Sequence, residues 1–164
     1  MSANPTLNPI PSLSVVLSFW NEADVIPELV QRLRDALSME IDNGNLSQYE
    51  LIFVNDVSTD NSLELLVELA KERDDIKILN MSRNFGVSPC VMAGLRYSSG
   101  DLVVYMDADL QDPPEVIPQM IAAWREGDNV DVIHTKRLSR DGESPIKLWI
   151  TKIGYDILHR TSSI

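Results

Sequence analysis

Short apolar runs alternate with segments of helical periodicity along this chain of 164 residues, and that alternation constrains its fold more than any other feature. Apolar runs of about four to eight residues are typical of buried strands, whereas apolar residues three or four positions apart are typical of helices. Strands are predicted over residues 13–19, 51–54, 76–81, 102–106 and 130–135, and helices over 25–37, 62–73, 87–97, 115–125 and 145–160. This order predicts an α/β domain with a mostly parallel sheet and helices on both faces.

The charge of the chain is uneven. Residues 1–135 carry 8 Lys and Arg against 22 Asp and Glu, a net charge of −14, whereas residues 136–164 carry 6 against 3, a net charge of +3. An acidic body argues against nucleic-acid binding, which needs a basic face to neutralise phosphates. Cys90 is the only cysteine, which excludes an internal disulfide and a cysteine-based zinc site. Because Cys90 lies in an apolar helical pattern, we predict a buried structural thiol.

The composition of the two ends predicts three segments. Pro5, Pro9 and Pro11 favour a flexible lead-in over residues 1–12, ahead of a nucleotide-binding domain over 13–144. Residues 145–164 have the pattern of a basic amphipathic helix that would suit an anionic membrane surface, or would pack on a protein surface instead. No apolar run is long enough to span a bilayer and the first residues do not resemble a signal peptide, so a cytoplasmic location is expected.

Two carboxylates follow the fourth predicted strand, and two prolines close the loop after them. Asp107 and Asp109 are two positions apart at the carboxyl end of the strand, where ligands bind in open α/β sheets. Paired hard oxygen ligands suit Mg²⁺ or Mn²⁺, and such an ion can hold a diphosphate. The segment therefore predicts a nucleotide-diphosphate substrate, with Asp107 facing the ribose hydroxyls or the metal and Asp109 facing the metal.

Polar and aromatic residues also follow the first three strands. Asp56 can accept a hydrogen bond from a ring N–H of a base, an aromatic side chain can pack on that base, and Arg83 suits a phosphate. Structural roles remain open for some of them: Asn21 can hold its own loop, Asp60 can cap the next helix, and Arg83 can form a surface ion pair. The candidate nucleotide-binding residues at these strand ends are Phe19, Trp20, Asn21, Glu22, Asp56 and Arg83.

These motifs together resemble those of the family 2 glycosyltransferases, which have the Rossmann-like GT-A fold. The resemblance is greatest to the transferases that use polyprenyl phosphates, such as dolichyl-phosphate mannosyltransferases and bacterial bactoprenol glucosyltransferases. The matching motifs are W-N-E at 20–22, V-N-D-V-S-T-D at 54–60, R-N-F-G at 83–86, A-G-L at 93–95, D-A-D-L-Q-D-P-P-E at 107–115, K-R at 136–137 and R-D-G-E-S at 140–144.

The resemblance implies transfer of glucose or mannose, with inversion, from a nucleotide diphosphate sugar to a polyprenyl or dolichyl phosphate. Mg²⁺ or Mn²⁺ is the implied cofactor, UDP-glucose is the favoured donor and GDP-mannose the next. Contact with a membrane surface, a homo-oligomer and a role in cell-wall or glycan biosynthesis are also consistent with it. Carried over by match, Trp20, Glu22, Val54 and Asp56 line the base pocket, Asp107 and Ala108 contact the nucleoside, Asp109 and Gln111 hold the metal, and Asp109 and Arg137 are the catalytic candidates.

The chain departs from the family in two respects. Val57 stands where a glycine is usual, so a positive φ at this position would be costly. Family members also continue well beyond this length, so the chain resembles the donor half of a longer enzyme.

Two other functions are compatible with parts of the sequence. A non-catalytic nucleotide-sugar-binding fragment or scaffold would keep the donor half alone. A haloacid-dehalogenase-type phosphatase also places D-x-D after a strand, but on its first strand, and the residues that follow here do not match. A dinucleotide oxidoreductase and a P-loop nucleotidase are disfavoured, because neither G-x-G-x-x-G nor a P-loop motif is present.

Overall fold

The computed structural model describes residues 10–128 and 130–136. Strands and helices alternate through the larger of its two compact units, which ends at Asp131. The elements are β1 (Ser12–Phe19), α1 (Ile26–Asp42), β2 (Gln48–Asn55), α2 (Ser62–Glu72), β3 (Ile76–Asn80), α3 (Val87–Tyr97), β4 (Leu102–Asp107) and α4 (Val116–Glu126). The predicted α/β architecture is confirmed.

All strand pairs in the described sheet are parallel, in the order β3-β2-β1-β4. The register aligns Phe19 with Asn55 across β1 and β2, and Ser18 with Asp107 across β1 and β4. Because these three strands end at the same level, the loops that follow them meet at one edge of the sheet. The fold thus brings together segments that are about 35 and 50 residues apart in the sequence.

The two faces of the sheet have separate apolar cores. One core packs the inward side chains of β1, β2 and β4 against α1, α2 and α4, and it includes Leu17, Phe53 and Ile117. The other is smaller and places Val16, Ile52, Val54 and Cys90 beneath α3. Helices therefore cover both faces, as predicted, and among the described helices α3 is the one that packs on the smaller core.

Most element boundaries differ from the sequence-based ones by a few residues, but the fifth strand is wrong. Residues 130–136 have no regular secondary structure. A run of β-branched residues gives the propensity for a strand, but a strand also needs a neighbour to satisfy its backbone groups. In the described sheet β4 pairs only with β1. The predicted helix over 145–160 lies outside the described residues.

None of the described helices is both long enough and apolar enough to cross a lipid bilayer.

Candidate nucleotide-binding site

An open cleft lies at the edge of the sheet where β1, β2 and β4 end. Its volume is about 290 Å³. Trp20 is 53% exposed there, so its ring is accessible to a ligand. The lining residues are Ser18, Phe19, Trp20, Glu22, Asp56, Val87, Cys90, Asp107, Ala108 and Asp109. Seven of these ten are residues that the sequence predicted for the site, six of them from the strand ends and Ala108 from the family resemblance.

The Asp56 carboxylate is buried and held in place by the loop between β3 and α3. The backbone N–H of Phe85 donates to Oδ1 at 2.7 Å, and that of Gly86 donates to Oδ2 at 2.9 Å. Gly86 has φ +84°, a conformation that glycine adopts without a steric penalty. Each carboxylate oxygen has a second lone pair, so Asp56 can still accept a hydrogen bond from a ligand, in an orientation fixed beforehand.

A network of hydrogen bonds joins the loop after β1 to the loop after β2; we call it the inter-loop network (residues 21–23 and 58–62). Three consecutive backbone N–H groups, those of Asn21, Glu22 and Ala23, donate to Ser58 Oγ, Ser62 Oγ and Asp60 Oδ2 at 3.0, 2.9 and 3.1 Å. The Asn21 Oδ1 atom in turn accepts the backbone N–H of residue 59 at 2.7 Å. The network fixes the position of Trp20 and Glu22 relative to Asp56.

Asn21 and Asp60 therefore have structural roles in this network. The Asp60 Oδ1 atom also accepts the Ser62 N–H at 3.1 Å, at the first residue of α2, so Asp60 caps the helix although Asn61 occupies the cap position. Burial would raise the pKa of Asp60, but hydrogen bonds from Ser62 and Ala23 outweigh it and lower that pKa.

Among residues 10–128 and 130–136, three residues other than glycine have positive φ, and each lies in a loop that borders the cleft. They are Asn21 at +58°, Val57 at +62° and Leu110 at +57°. Asparagine tolerates this conformation, but it is strained for leucine and more so for a β-branched residue. Val57 stands where the family usually has glycine, and its backbone does have the positive φ that would be costly for valine. Strained backbone of this kind persists where the surrounding structure fixes it, and it concentrates at functional sites.

Asp107 is held by a tyrosine on its own strand. The Tyr105 hydroxyl donates to Asp107 Oδ1 and lies 3.3 Å from Ser18 Oγ. Burial, followed by this hydrogen bond, raises the pKa of Tyr105 to about 12. Sequence reasoning missed Tyr105, although its position two residues before Asp107 places both side chains on one face of β4.

The cleft is rich in carboxylates. Burial, and then the neighbouring charges of Asp109 and Asp60, raise the pKa of Glu22. Asp109 Oδ1 accepts the backbone N–H of Gln111 at 2.9 Å, which orients the Asp109 carboxylate. Among the described residues that line the cleft there is no Lys, Arg or His. A diphosphate bound in this cleft would therefore need a cation to offset the charge of the carboxylates.

The donor groups suit a divalent cation that is shared with a ligand. Residues 10–128 and 130–136 contain no group of three or more His, Cys, Asp or Glu side chains arranged to hold a metal. Mg²⁺ is commonly held by only one or two carboxylates, with substrate phosphates and waters completing its shell. Asp109 in the cleft, with the amide oxygen of Gln111 nearby in the sequence, fits that mode of binding.

The remaining predicted residues lie beside the cleft or outside the described part of the chain. Val54 is fully buried under α3 and supports the cleft from behind. The Arg83 guanidinium stacks over the Phe85 ring, 4.6 Å from its centroid, so Arg83 borders the loop that holds Asp56. Gln111 follows the loop turn at Leu110, and Arg137 lies outside the described residues.

Ser18, Val87 and Cys90 line the cleft but were not predicted to do so. Val87 and Cys90 come from the first turns of α3, a helix that begins directly after the loop following β3. The buried thiol prediction for Cys90 is confirmed, and burial, followed by Asp56, raises its pKa to about 11. The sequence could have indicated Val87 and Cys90 as lining residues, because a helix that follows a parallel strand begins at the carboxyl edge of the sheet.

Solved structures share this fold. A mannosyltransferase from Pyrobaculum calidifontis, in complex with GDP-Man and Mn²⁺, superposes with a TM-score of 0.60 at 22% identity, over 73% of this chain and 34% of that chain. S. aureus TarS in complex with UDP-GlcNAc gives a TM-score of 0.53 at 23% identity, over 69% of this chain and 30% of that chain. At these identities the similarity supports the GT-A fold.

Curated relatives are more similar in sequence. An uncharacterized glycosyltransferase of Synechocystis sp. is 39% identical over 153 residues, which is 93% of this chain and 46% of that protein. The uncharacterized glycosyltransferase YkcC of Bacillus subtilis is 40% identical over 151 residues, 92% of this chain and 45% of that protein. The chain thus spans about half the length of these relatives. The model of glycosyl transferase family 2 matches residues 14–161, and the chain belongs to that family.

Proposed function

We propose that the chain binds a nucleotide diphosphate sugar in the cleft and serves as the donor half of an inverting glycosyltransferase. The observation that carries the proposal is the convergence of Trp20, Asp56, Asp107 and Asp109 on one cleft in a chain of this family. Family membership favours this function over the phosphatase that D-x-D after a strand would also allow.

The base of the donor would lie against Trp20, which is exposed, and against the edge of Phe19, which is buried at the base of the cleft lining. Asp56 would accept a ring N–H, as uracil and guanine each provide one, while Asp107 and Ala108 would contact the ribose. Val54 would support the pocket from below, Glu22 would line it, and Asn21 would position both through the inter-loop network. Arg83 would act at the edge of the base pocket, next to Phe85.

Asp109 and Gln111 would hold Mg²⁺ or Mn²⁺ between the protein and the diphosphate. The ion, when bound, would stabilise the charge that develops on the departing nucleoside diphosphate. The observed contact between the Gln111 N–H and Asp109 orients the carboxylate before the ion arrives. The solved structure of the Pyrobaculum mannosyltransferase is a complex with GDP-Man and Mn²⁺, which supports this class of ligand for the present chain.

A polyprenyl phosphate is the proposed acceptor. Its phosphate oxygen is anionic near neutral pH, so it would attack the anomeric carbon without a general base, and positioning would supply most of the catalysis. Arg137 would face the diphosphate or the acceptor phosphate. The net charge of +3 over residues 136–164 suits an anionic membrane surface at the cytoplasmic face, where such an acceptor is embedded.

Calorimetric titration tests the donor site directly. UDP-glucose and GDP-mannose would each be titrated with Mn²⁺ and with EDTA, into the wild-type chain, Asp109→Asn, and Asp35→Asn as a control. Asp35 is an exposed carboxylate on α1 that pairs with Gln31. We expect one donor to bind with Mn²⁺, and its affinity to fall at least about tenfold in Asp109→Asn but not in Asp35→Asn.

Transfer of the labelled sugar to a polyprenyl phosphate in detergent then separates catalysis from binding. Transfer would support the whole proposal, whereas binding without transfer would assign the chain a nucleotide-sugar-binding function alone. Failure of both donors to bind, with the fold intact by circular dichroism, would contradict the donor site itself.

A further inference from the structure

We propose that Tyr105 is a positioning residue of the nucleotide site, which holds the Asp107 carboxylate so that its second oxygen meets the sugar hydroxyls of a bound nucleotide. The inference rests on the proposed function and adds a residue that the family motifs do not include. It gives Asp107, an exposed residue at a strand end, a hydrogen-bond partner that would orient its carboxylate.

The geometry places three polar groups in a row at the carboxyl end of the sheet. Ser18 and Asp107 are register partners on β1 and β4. Tyr105 lies on the same face of β4, two residues before Asp107, and its hydroxyl donates to Asp107 Oδ1 while lying 3.3 Å from Ser18 Oγ. Asp107 and Ser18 line the cleft, whereas Tyr105 does not. The Tyr105 hydroxyl therefore contacts one lining residue on β1 and one on β4 from behind them.

Packing alone does not account for a tyrosine at this position. The alternate residues of β4, Val104 and Met106, face the core, whereas Tyr105 is 38% exposed on the opposite face. The Tyr105 hydroxyl thus has a specific partner, the Asp107 carboxylate. A hydrogen bond from a hydroxyl to an ionised carboxylate is among the stronger ones in proteins.

The hydrogen bond also gives the two Asp107 oxygens different partners. Oδ1 accepts the phenol, so a ligand hydroxyl that approaches from the cleft would donate to Oδ2. Without the phenol the carboxylate would rotate among several orientations, and binding would pay the cost of selecting one of them.

Binding of a nucleoside diphosphate and of its 2′,3′-dideoxy analogue, measured on the full 164-residue chain, tests the inference. We expect Tyr105→Phe to weaken binding of the nucleoside diphosphate by about five- to tenfold, to leave binding of the dideoxy analogue unchanged, and to have no further effect in an Asp107→Ala background, which lacks the acceptor oxygen. Tyr49→Phe is the matched control, because the Tyr49 hydroxyl donates to Asp75 at 3.3 Å at the other edge of the sheet.

Each other outcome has a separate meaning. Equal weakening of the binding of both ligands by Tyr105→Phe, or an effect that persists in Asp107→Ala, would overturn the inference and indicate a purely structural tyrosine. Unchanged binding by Tyr105→Phe would also overturn it while leaving the proposed function intact. Failure of the wild-type chain to bind the nucleoside diphosphate would overturn the proposed function, and the positioning role with it.

Discussion

Val57 has a backbone conformation that valine rarely adopts, next to the aspartate proposed to recognise the base. Its φ is +62°, and its side chain is 38% exposed, so packing does not compensate for the strain. Such a conformation costs about 1–3 kcal/mol. It persists because the neighbouring residues are fixed: Asn55 Oδ1 accepts the Ser58 N–H at 2.8 Å, and Asp56 is held by two backbone N–H groups. Part of the stability is therefore given up to hold this loop.

Replacing Val57 by glycine should relieve that strain. We expect Val57→Gly to raise the free energy of unfolding by about 0.5–1 kcal/mol, less than the strain itself because glycine also gains entropy in the unfolded chain. Urea unfolding measures the change. Val67→Gly, at a 41% exposed position in α2, is the control and should lower stability by about 1 kcal/mol or somewhat more. A destabilised Val57→Gly would show that no strain is released.

Glu50 should make stability depend on pH, although it lies far from the cleft. Burial alone would raise its pKa, but hydrogen bonds from Lys77, Ser14 and Ser99 outweigh burial and lower the pKa to about 2 from 4.5. Because the pKa is lower in the folded chain, Glu50 contributes stability above pH 4.5, and that contribution is lost as the pH falls from 4.5 towards 2.

We therefore expect Glu50→Gln to lower the free energy of unfolding by about 2 kcal/mol at pH 7, with the difference from wild type shrinking below pH 4.5. Urea unfolding of both chains at pH 7, 4 and 3 measures this difference in the free energy of unfolding. Glu68→Gln removes an exposed pair with Lys71 and should change stability by less than about 1 kcal/mol at every pH. A Glu50→Gln deficit that stays constant with pH would disprove the linkage.

At the scale of elements, α3 lies against the sheet with a glycine at the contact. A Cβ atom built at Gly94 would be 2.3 Å from Val16 Cγ1 and 3.2 Å from Val54 Cγ2. Only glycine allows this approach, which sets the depth at which Val87 and Cys90 reach the cleft. The A-G-L motif at 93–95 is therefore explained by packing between a helix and two strands.

Gly94→Ala should force α3 away from β1 and lower the free energy of unfolding by about 2–3 kcal/mol. Val16→Ala removes the nearest atom, so the double variant should be more stable than the sum of the two single changes predicts. Thermal or urea unfolding of the four chains gives the coupling. Strict additivity would mean that the contact with Val16 does not limit the position of the helix.

At the scale of the whole molecule, sequence reasoning succeeded where order along the chain decides the structure. Alternation of strands and helices gave the parallel sheet, and the residues directly after β1, β2 and β4 gave most of the cleft lining, because parallel strands end at one edge. The features that the sequence did not predict depend on contacts between residues that are distant along the chain or on side-chain conformation. The strand predicted over 130–135 had the right residues but no described neighbour, and the Tyr105 contact depends on rotamers that the sequence does not specify.

Divalent cations should stabilise the chain as a whole. Asp109 lines a cleft that is rich in carboxylates, so an ion that binds it only in the folded state should raise the unfolding temperature. We expect Mn²⁺ at tenfold its dissociation constant to raise the midpoint by about 3–6 °C. Asp109→Asn should abolish the shift, and Asp35→Asn should keep it. An equal shift in Asp109→Asn would place the ion elsewhere.

The inter-loop network has one more consequence, for the way in which this sheet can hold phosphate. In dinucleotide-binding enzymes the first strand leads into a helix whose free N–H groups cradle the pyrophosphate. Here the corresponding backbone N–H groups before α1 already donate hydrogen bonds within the protein. The N–H groups of residues 21–23 are bound by side chains of the next loop, those of Val25 and Ile26 by the Glu22 carbonyl, and Pro27 has none. The same topology here has rigid loops where those enzymes have a backbone anion cradle, so the proposed diphosphate would need binding groups other than the start of α1.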